Sequence, residues 1–337
     1  MENKFISSPH IHGGLSVFAL MLRVCLALVP GIVAYSWFFG WGVIIQCLLC
    51  ILFALGFEYL ALRLRKRPAQ LFIKDGSALL TALLFALTIS PFTPWWASLL
   101  GLAFAILIAK HAYGGLGNNP FNPAMTGYVF VLLCFPAEMN HWPLAAPDSP
   151  GIGSYLGIIL DTGAVQTDAL SGATALNDMK SQLNAMNMVS EIRLDDNFGQ
   201  FAGHGWEWIN LAYLLGGIAL LLMGCIRWHI PVAMLLTLVL MSTLFNLFDG
   251  DVYPSPLFQV FSGGTLLCAF FIATDPVSAA TSLRGKLLYG ALIGLLVFVI
   301  RTWGSYPDGI AFAVLIANAC VPLFDRFTRP RVIGEQE

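Results

Sequence analysis

The chain has 337 residues and a formal net charge of −2, with 58% hydrophobic and only 11% charged residues. Soluble domains carry about 25% charged residues, so the composition excludes an ordinary water-soluble globule and places the chain in lipid. Neither a nucleic-acid partner nor a bound metal is expected, and the length is better counted in spans of about 20 residues, with room for about ten.

From the amino terminus, Ser7, Ser8, Pro9, His10 and His12 replace the basic head and apolar core of a signal peptide, so this end is expected to stay in the cytoplasm. Apolar runs then predict helices at 21–39, 42–63, 77–91, 95–111, 124–136, 208–226, 230–248, 257–273, 287–303 and 309–324. Cys47 and Cys50 form a C-x-x-C inside the second run, which reads as membrane packing. All seven cysteines (Cys25, Cys47, Cys50, Cys134, Cys225, Cys268, Cys320) fall in apolar stretches, which argues against a disulfide framework.

The basic run Arg63-Leu64-Arg65-Lys66-Arg67, continued by Lys74, marks the cytoplasmic side. Counting spans from it puts Lys4, Arg23, Lys110, Arg227, Arg284, Lys286, Arg326, Arg329 and Arg331 inside, and only Lys180, Arg193 and Arg301 outside. Both termini are then cytoplasmic. The predicted units are residues 1–136, a first five-helix repeat; 137–207, an extracytoplasmic loop; 208–325, a second repeat; and 326–337, a cytoplasmic tail. The loop carries nine acidic residues, from Glu138 to Glu207, against Lys180 and Arg193.

Gly76-Ser77-Ala78-Leu79-Leu80-Thr81, running to Thr88-Ile89-Ser90-Pro91, resembles Ser262-Gly263-Gly264-Thr265-Leu266-Leu267, running to Thr274-Asp275-Pro276. Five spans per half is an odd number, so the second half is inverted relative to the first. Both segments are short for a span, which predicts broken helices. Ionisable residues inside apolar segments are functional candidates by default, and here they are Glu58, Asp75 and Asp275. Glu58 reads as a partner of Arg63 or Arg65 at the interface. Asp75 and Asp275 read as standing at equivalent breaks of the two repeats, where they cap helices or line an ion route. The glycine-rich turn Gly114 to Pro120 lacks a preceding strand and a Gly-Lys-Ser/Thr ending, so it reads as irregular backbone between helices rather than a nucleotide site.

Within the long loop stands Thr167-Asp168-Ala169-Leu170-Ser171-Gly172-Ala173-Thr174. Ser171 to Thr174, with Asp168 upstream, resembles the site at which a flavin transferase esterifies threonine with FMN. Thr174 is the expected acceptor: a hydroxyl nucleophile that must enter another protein's active site needs small neighbours such as Gly172 and Ala173. The other reading of the same residues is a Ser/Gly turn between short helices.

Taken with Ser8-Pro9-His10, Asp75 to Ala78, Gly115 to Ala124 and Thr274-Asp275-Pro276, this stretch makes the chain similar to a known family over nearly its whole length. That family comprises the D subunits of Rnf ion-translocating ferredoxin:NAD oxidoreductases, homologous to the B subunits of sodium-pumping NADH:quinone reductases. The resemblance implies an all-α, urea-transporter-like membrane fold in a bacterial inner membrane, with the 137–207 loop periplasmic. It further implies covalent FMN on Thr174, a second non-covalent flavin such as riboflavin among the helices, and partner subunits between which electrons pass across the bilayer. A solute channel or carrier of the same fold, or a passive scaffold, would carry no covalent flavin.

Overall fold

The computed structural model describes residues 16–68, 73–145, 150–163 and 170–328; Ser8-Pro9-His10, Asp168 and the tail from residue 329 lie outside these. Each of the ten apolar runs is helical. Six of them form helices long and apolar enough to cross a membrane: Val17–Phe39, Gly42–Leu64, Trp95–Ala112, His229–Phe248, Leu283–Trp303 and Ile310–Phe327. The other four are shorter, which departs from ten full-length spans. Ser77–Ala86 has 10 residues and Pro123–Cys134 has 12. At 1.5 Å per residue, 10 residues reach about 15 Å, half a hydrocarbon core. Trp206–Leu222 has 17 residues.

The eighth run is broken. Pro256–Phe261 ends at Ser262, Gly263 takes a left-handed φ of 60°, and a new turn starts at Thr265. A β-carbon at Gly263 would meet both this strained dihedral and the Asp308 carboxylate, so the break needs glycine.

Long helices that are apolar all round need an apolar solvent as well as an apolar core. On His229–Phe248, Leu236, Leu240, Leu244 and Leu247 point outward at helical spacing and are more than half exposed, the ridge expected of a lipid-facing surface. The inward side meets Leu283–Trp303, where Gly290 and Gly294 lie against the Ile230 and Met234 carbonyls with no room for a side chain. Polar contacts fasten the two halves of the chain. Asn122 donates through Nδ2 to the Ile272 carbonyl at 3.2 Å, and its backbone N–H donates to Asn318 Oδ1 at 3.1 Å.

Among the described residues two stretches are π-helical, Phe104–Ala112 and Cys268–Ile272. The wide turn of the second shows in the bond from Ala273 N to the Cys268 carbonyl, five residues back, and the first ends in a Schellman cap, with Gly114 N bonded to the His111 carbonyl and Gly115 N to the Lys110 carbonyl. The Gly114 to Pro120 turn is irregular, as the sequence indicates, with positive φ at Gly114, Gly115 and Gly117. All seven cysteines are free thiols.

The 137–207 insert is folded onto the helices. Trp142–Pro143 pairs antiparallel with Ser171–Gly172. Helix Ala175–Asn184 buries Leu176 and Met179 in a small core with Val189, Ile192 and Phe198. Tyr155 on helix Ile152–Ile159 donates its hydroxyl to the Phe39 carbonyl at 2.7 Å.

Candidate functional site

Thr174 stands at the start of helix Ala175–Asn184 with extended backbone, and its Oγ1 accepts a hydrogen bond from the Asn177 N–H at 3.2 Å. It is therefore an N-cap, the position at which a threonine hydroxyl sits outside the helix and four backbone N–H groups lack helical partners. Ser171 and Gly172 lie in the two-residue strand rather than in a Ser/Gly turn. Ala173 is exposed, and its carbonyl accepts from Asn197 Nδ2 at 2.9 Å, which fixes the approach to Thr174.

The far side of this helix is clamped. Lys180 Nζ donates to the carbonyls of Ile300, Arg301 and Tyr306 at 3.2, 3.1 and 3.0 Å, capping the end of helix Leu283–Trp303. Burial lowers the Lys180 pKa from its ordinary value. Three carbonyl acceptors oppose that loss by favouring the ammonium.

Thr174 lines a cavity of about 260 Å³ that runs from the insert into the helices. Its walls combine indoles and phenols, Trp142, Trp206, Tyr35, Tyr128 and Tyr213, with the broken-helix residues Ser262, Gly263 and Gly264 and with Asp308. Three hydroxyls in this wall, those of Tyr35, Tyr213 and Ser262, are buried without a hydrogen-bond partner. Such groups cost about 1–3 kcal/mol each unless something satisfies them.

The break itself is held by Arg301, whose side chain is 2% exposed. Its guanidinium donates to the Gln259 and Ser262 carbonyls, to Thr265 Oγ1 at 2.9 Å and to Asp308 Oδ1 at 3.0 Å. Asp308 Oδ2 in turn accepts from Gly264 N–H at 3.1 Å. Arg301, a basic residue on the side where the charge count places few, is thus a buried fastener.

A second polar site surrounds Glu58, and here the structure corrects the sequence. Glu58 does not pair with Arg63 or Arg65. Its Oε2 accepts from Lys110 Nζ at 2.9 Å and its Oε1 lies 3.0 Å from His111 Nε2, with the carboxylate 3% exposed. The π-helical turn presents Lys110 and His111 together. Arg63 instead binds the Tyr59 hydroxyl, and Arg65 faces His111 Nδ1 at 3.4 Å. Lys110 also donates to Ser77 Oγ at 2.8 Å.

The two aspartates share a hydrogen-bond pattern but not a position. Asp75 Oδ1 accepts from the N–H and hydroxyl of Ser77 ahead of helix Ser77–Ala86, whereas Asp275 Oδ2 accepts from the N–H and hydroxyl of Ser278 after the broken segment. A small cavity of about 30 Å³ is lined by Ser77, Thr81, Lys110, Asn119, Asn122 and Asp275, among others. Asp275 reaches it directly, and Asp75 only through Ser77. Asp168 lies outside the described residues.

A family model described as the NQR2, RnfD, RnfE family matches residues 4–334. Among similar proteins, the D subunit of an ion-translocating oxidoreductase complex from Aliivibrio salmonicida is 48% identical over 345 aligned positions, covering 98% of each chain. Its namesake from Vibrio vulnificus is 48% identical, covering 97% of this chain and 98% of its own. That from Escherichia fergusonii is 47% identical over the full length of both.

Proposed function

This chain belongs to the NQR2, RnfD, RnfE family, and from that premise we propose that it is the membrane subunit of an ion-translocating oxidoreductase complex carrying FMN as a phosphoester on Thr174. The observation that carries the reading is the Thr174 hydroxyl at a helix N-cap, on the rim of an aromatic cavity with three unsatisfied hydroxyls in its wall.

The attachment balances as a phosphoryl transfer performed by a separate flavin transferase. The Thr174 oxygen attacks the FMN phosphorus of FAD, the pyrophosphate P–O bond breaks, AMP leaves, and the threonine proton is lost to the transferase. When bound, the flavin supplies one- and two-electron transfer, which threonine cannot.

The remaining work belongs to residues of this chain. Unpaired N–H groups at the start of helix Ala175–Asn184 and its dipole favour the phosphate's negative charge. Trp142 and Trp206 present apolar faces to a planar ring. Tyr35, Tyr213 and Ser262 offer hydrogen bonds to its polar edge, and Arg301 with Asp308 keeps the broken helix in place behind it.

In the same reading the chain has ten crossings in two inverted, urea-transporter-like halves, with both termini in the cytoplasm and the 137–207 insert in the periplasm of a bacterial inner membrane. Electrons pass through it between partner subunits. A hydrocarbon core of about 30 Å is too wide for one efficient transfer, so a relay is needed, and the family resemblance implies a second, non-covalent flavin such as riboflavin in that role. Asp275 belongs to the ion route, and Asp75 holds Ser77 in place behind it.

The test is denaturing electrophoresis of protein co-produced with a flavin transferase. Wild type is expected to give a fluorescent band, Thr174→Ala none, and Thr174→Ser a partial one. Undiminished fluorescence in the alanine variant would overturn the assignment, and no band in wild type would favour the solute-channel reading of the same helices.

A further inference from the structure

The Glu58–Lys110 pair is not explained by the flavin. Lys110 is 2% exposed, deep among apolar helices, where a lysine is costly unless paired. Its ammonium has three N–H donors; Glu58 Oε2 and Ser77 Oγ take two, and the residue lines the 30 Å³ cavity. Asp75 stands behind Ser77, whose hydroxyl donates to its Oδ1 at 2.6 Å, and Arg65 stands behind His111. Glu58 Oε1 also lies 3.0 Å from His111 Nε2, and the other ring nitrogen faces the Arg65 guanidinium. Glu58 and Lys110 form a buried ion pair, and Asp275 is the only carboxylate among the described residues that line the cavity.

Other walls of the cavity carry acceptors. Asn119 is 4% exposed, its Nδ2 donates to the Phe121 carbonyl at 3.1 Å, and its Oδ1 is buried with no partner. The amide orientation is set by that donor, so the orphan is an oxygen. Asp275 commits only Oδ2 to Ser278, and Thr81 keeps its oxygen lone pairs after donating to the Ser77 carbonyl. The wall thus brings a carboxylate, an amide and a hydroxyl residue around a space of one or two water volumes, a set that suits a hard, small cation. Among the described residues no three His, Cys, Asp or Glu side chains converge as a metal centre requires, so a single positive charge fits better than a divalent ion.

We propose that this cavity is an exchange site for one small monovalent cation, a sodium ion or a proton carried on water, and that the Lys110 ammonium is the resident cation with which it competes. Two positive charges a few ångströms apart repel strongly in so dry a place, so the cation enters as Lys110 gives up its Ser77 bond and stays on Glu58 alone, and leaves as that bond re-forms. Lys110 stands in one π-helical stretch and Asp275 follows the other by three residues, and such turns occur frequently at functional sites. The inference rests on the reading of the chain as an ion-translocating subunit, and it names the gate of that route.

The assembled complex in sealed vesicles, without electron donor, provides the test. Glu58→Gln with Lys110→Met removes the resident cation and its partner together, so no lone charge is buried. The double variant should leak sodium or protons on the order of tenfold faster than wild type under an imposed gradient, because one charge barrier is gone. Separate sodium and pH gradients show which cation uses the site. Asn119→Leu fills the cavity and spares the pair; it should raise the cation concentration giving half-maximal donor-driven transport by about tenfold, with Thr174 fluorescence retained. Wild-type leak in the double variant, or an unshifted cation dependence in Asn119→Leu, overturns the proposal. Failure of the underlying reading is distinct: wild type itself would then show no donor-driven transport, whereas the leak comparison needs no donor.

Discussion

Arg301→Met should loosen the floor of the large cavity, and the structure sets the scale of the effect. The wild-type guanidinium satisfies the Gln259 and Ser262 carbonyls, Thr265 Oγ1 and Asp308 Oδ1 from a position 2% exposed. Truncating one partner of a buried ion pair costs about 3–5 kcal/mol, because the other charge is stranded. Asp308 is 27% exposed and keeps the Gly264 N–H, so the lower end applies. A loss of about 3 kcal/mol is on the order of a hundredfold in the folded-to-unfolded ratio. Adding Asp308→Asn removes the stranded charge and should recover part of the loss, whereas independent sites would lose more. Unfolding in mixed detergent micelles, followed by tryptophan fluorescence, measures all four members of the cycle. Wild-type stability in Arg301→Met, or a double variant at the sum of the two single losses, would refute the reasoning.

Two further outcomes are expected. Asp75→Asn should leave coupling intact, since asparagine caps Ser77 as well as aspartate does, whereas Asp275→Asn should lower the cations moved per electron while keeping the flavin. Transport and electron-transfer rates in one vesicle preparation compare the two; equal behaviour would remove the distinction between a residue behind the cavity and one lining it. In a background free of the seven native cysteines, Thr174→Cys should react with an impermeant thiol reagent added outside, and Arg65→Cys should not. Labelling of position 65 alone would invert the topology.

Much of this architecture is legible in the sequence because hydropathy is a local property. The ten apolar runs, the break at Ser262–Gly264 and the strained glycines after Tyr113 follow from residue type and spacing. What escaped depends on distant neighbours. Glu58 finds Lys110 rather than Arg63 or Arg65 because helix packing brings together residues far apart in the chain, while the nearer arginines point elsewhere. Counting Lys110 and Arg301 as loop charges treats them as solvated, but both are buried fasteners. The π-helical turns that aim Lys110 and Asp275 leave no mark on an apolar run, and the orphaned hydroxyls of Tyr35 and Tyr213 belong to a cavity shared by both halves. At Thr174 the motif names a candidate hydroxyl, and its N-cap position and the aromatic wall beside it come from the fold.

The central claim is the bond between Thr174 and FMN, and the direct measurement is fragment mass spectrometry of the peptide spanning Ser171 to Lys180, taken from protein matured with a flavin transferase. The expected peptide is heavier by one FMN less one water, with fragment ions placing the added mass on Thr174 rather than Ser171. An unmodified peptide from fully matured complex, or the mass on any other residue, would contradict it.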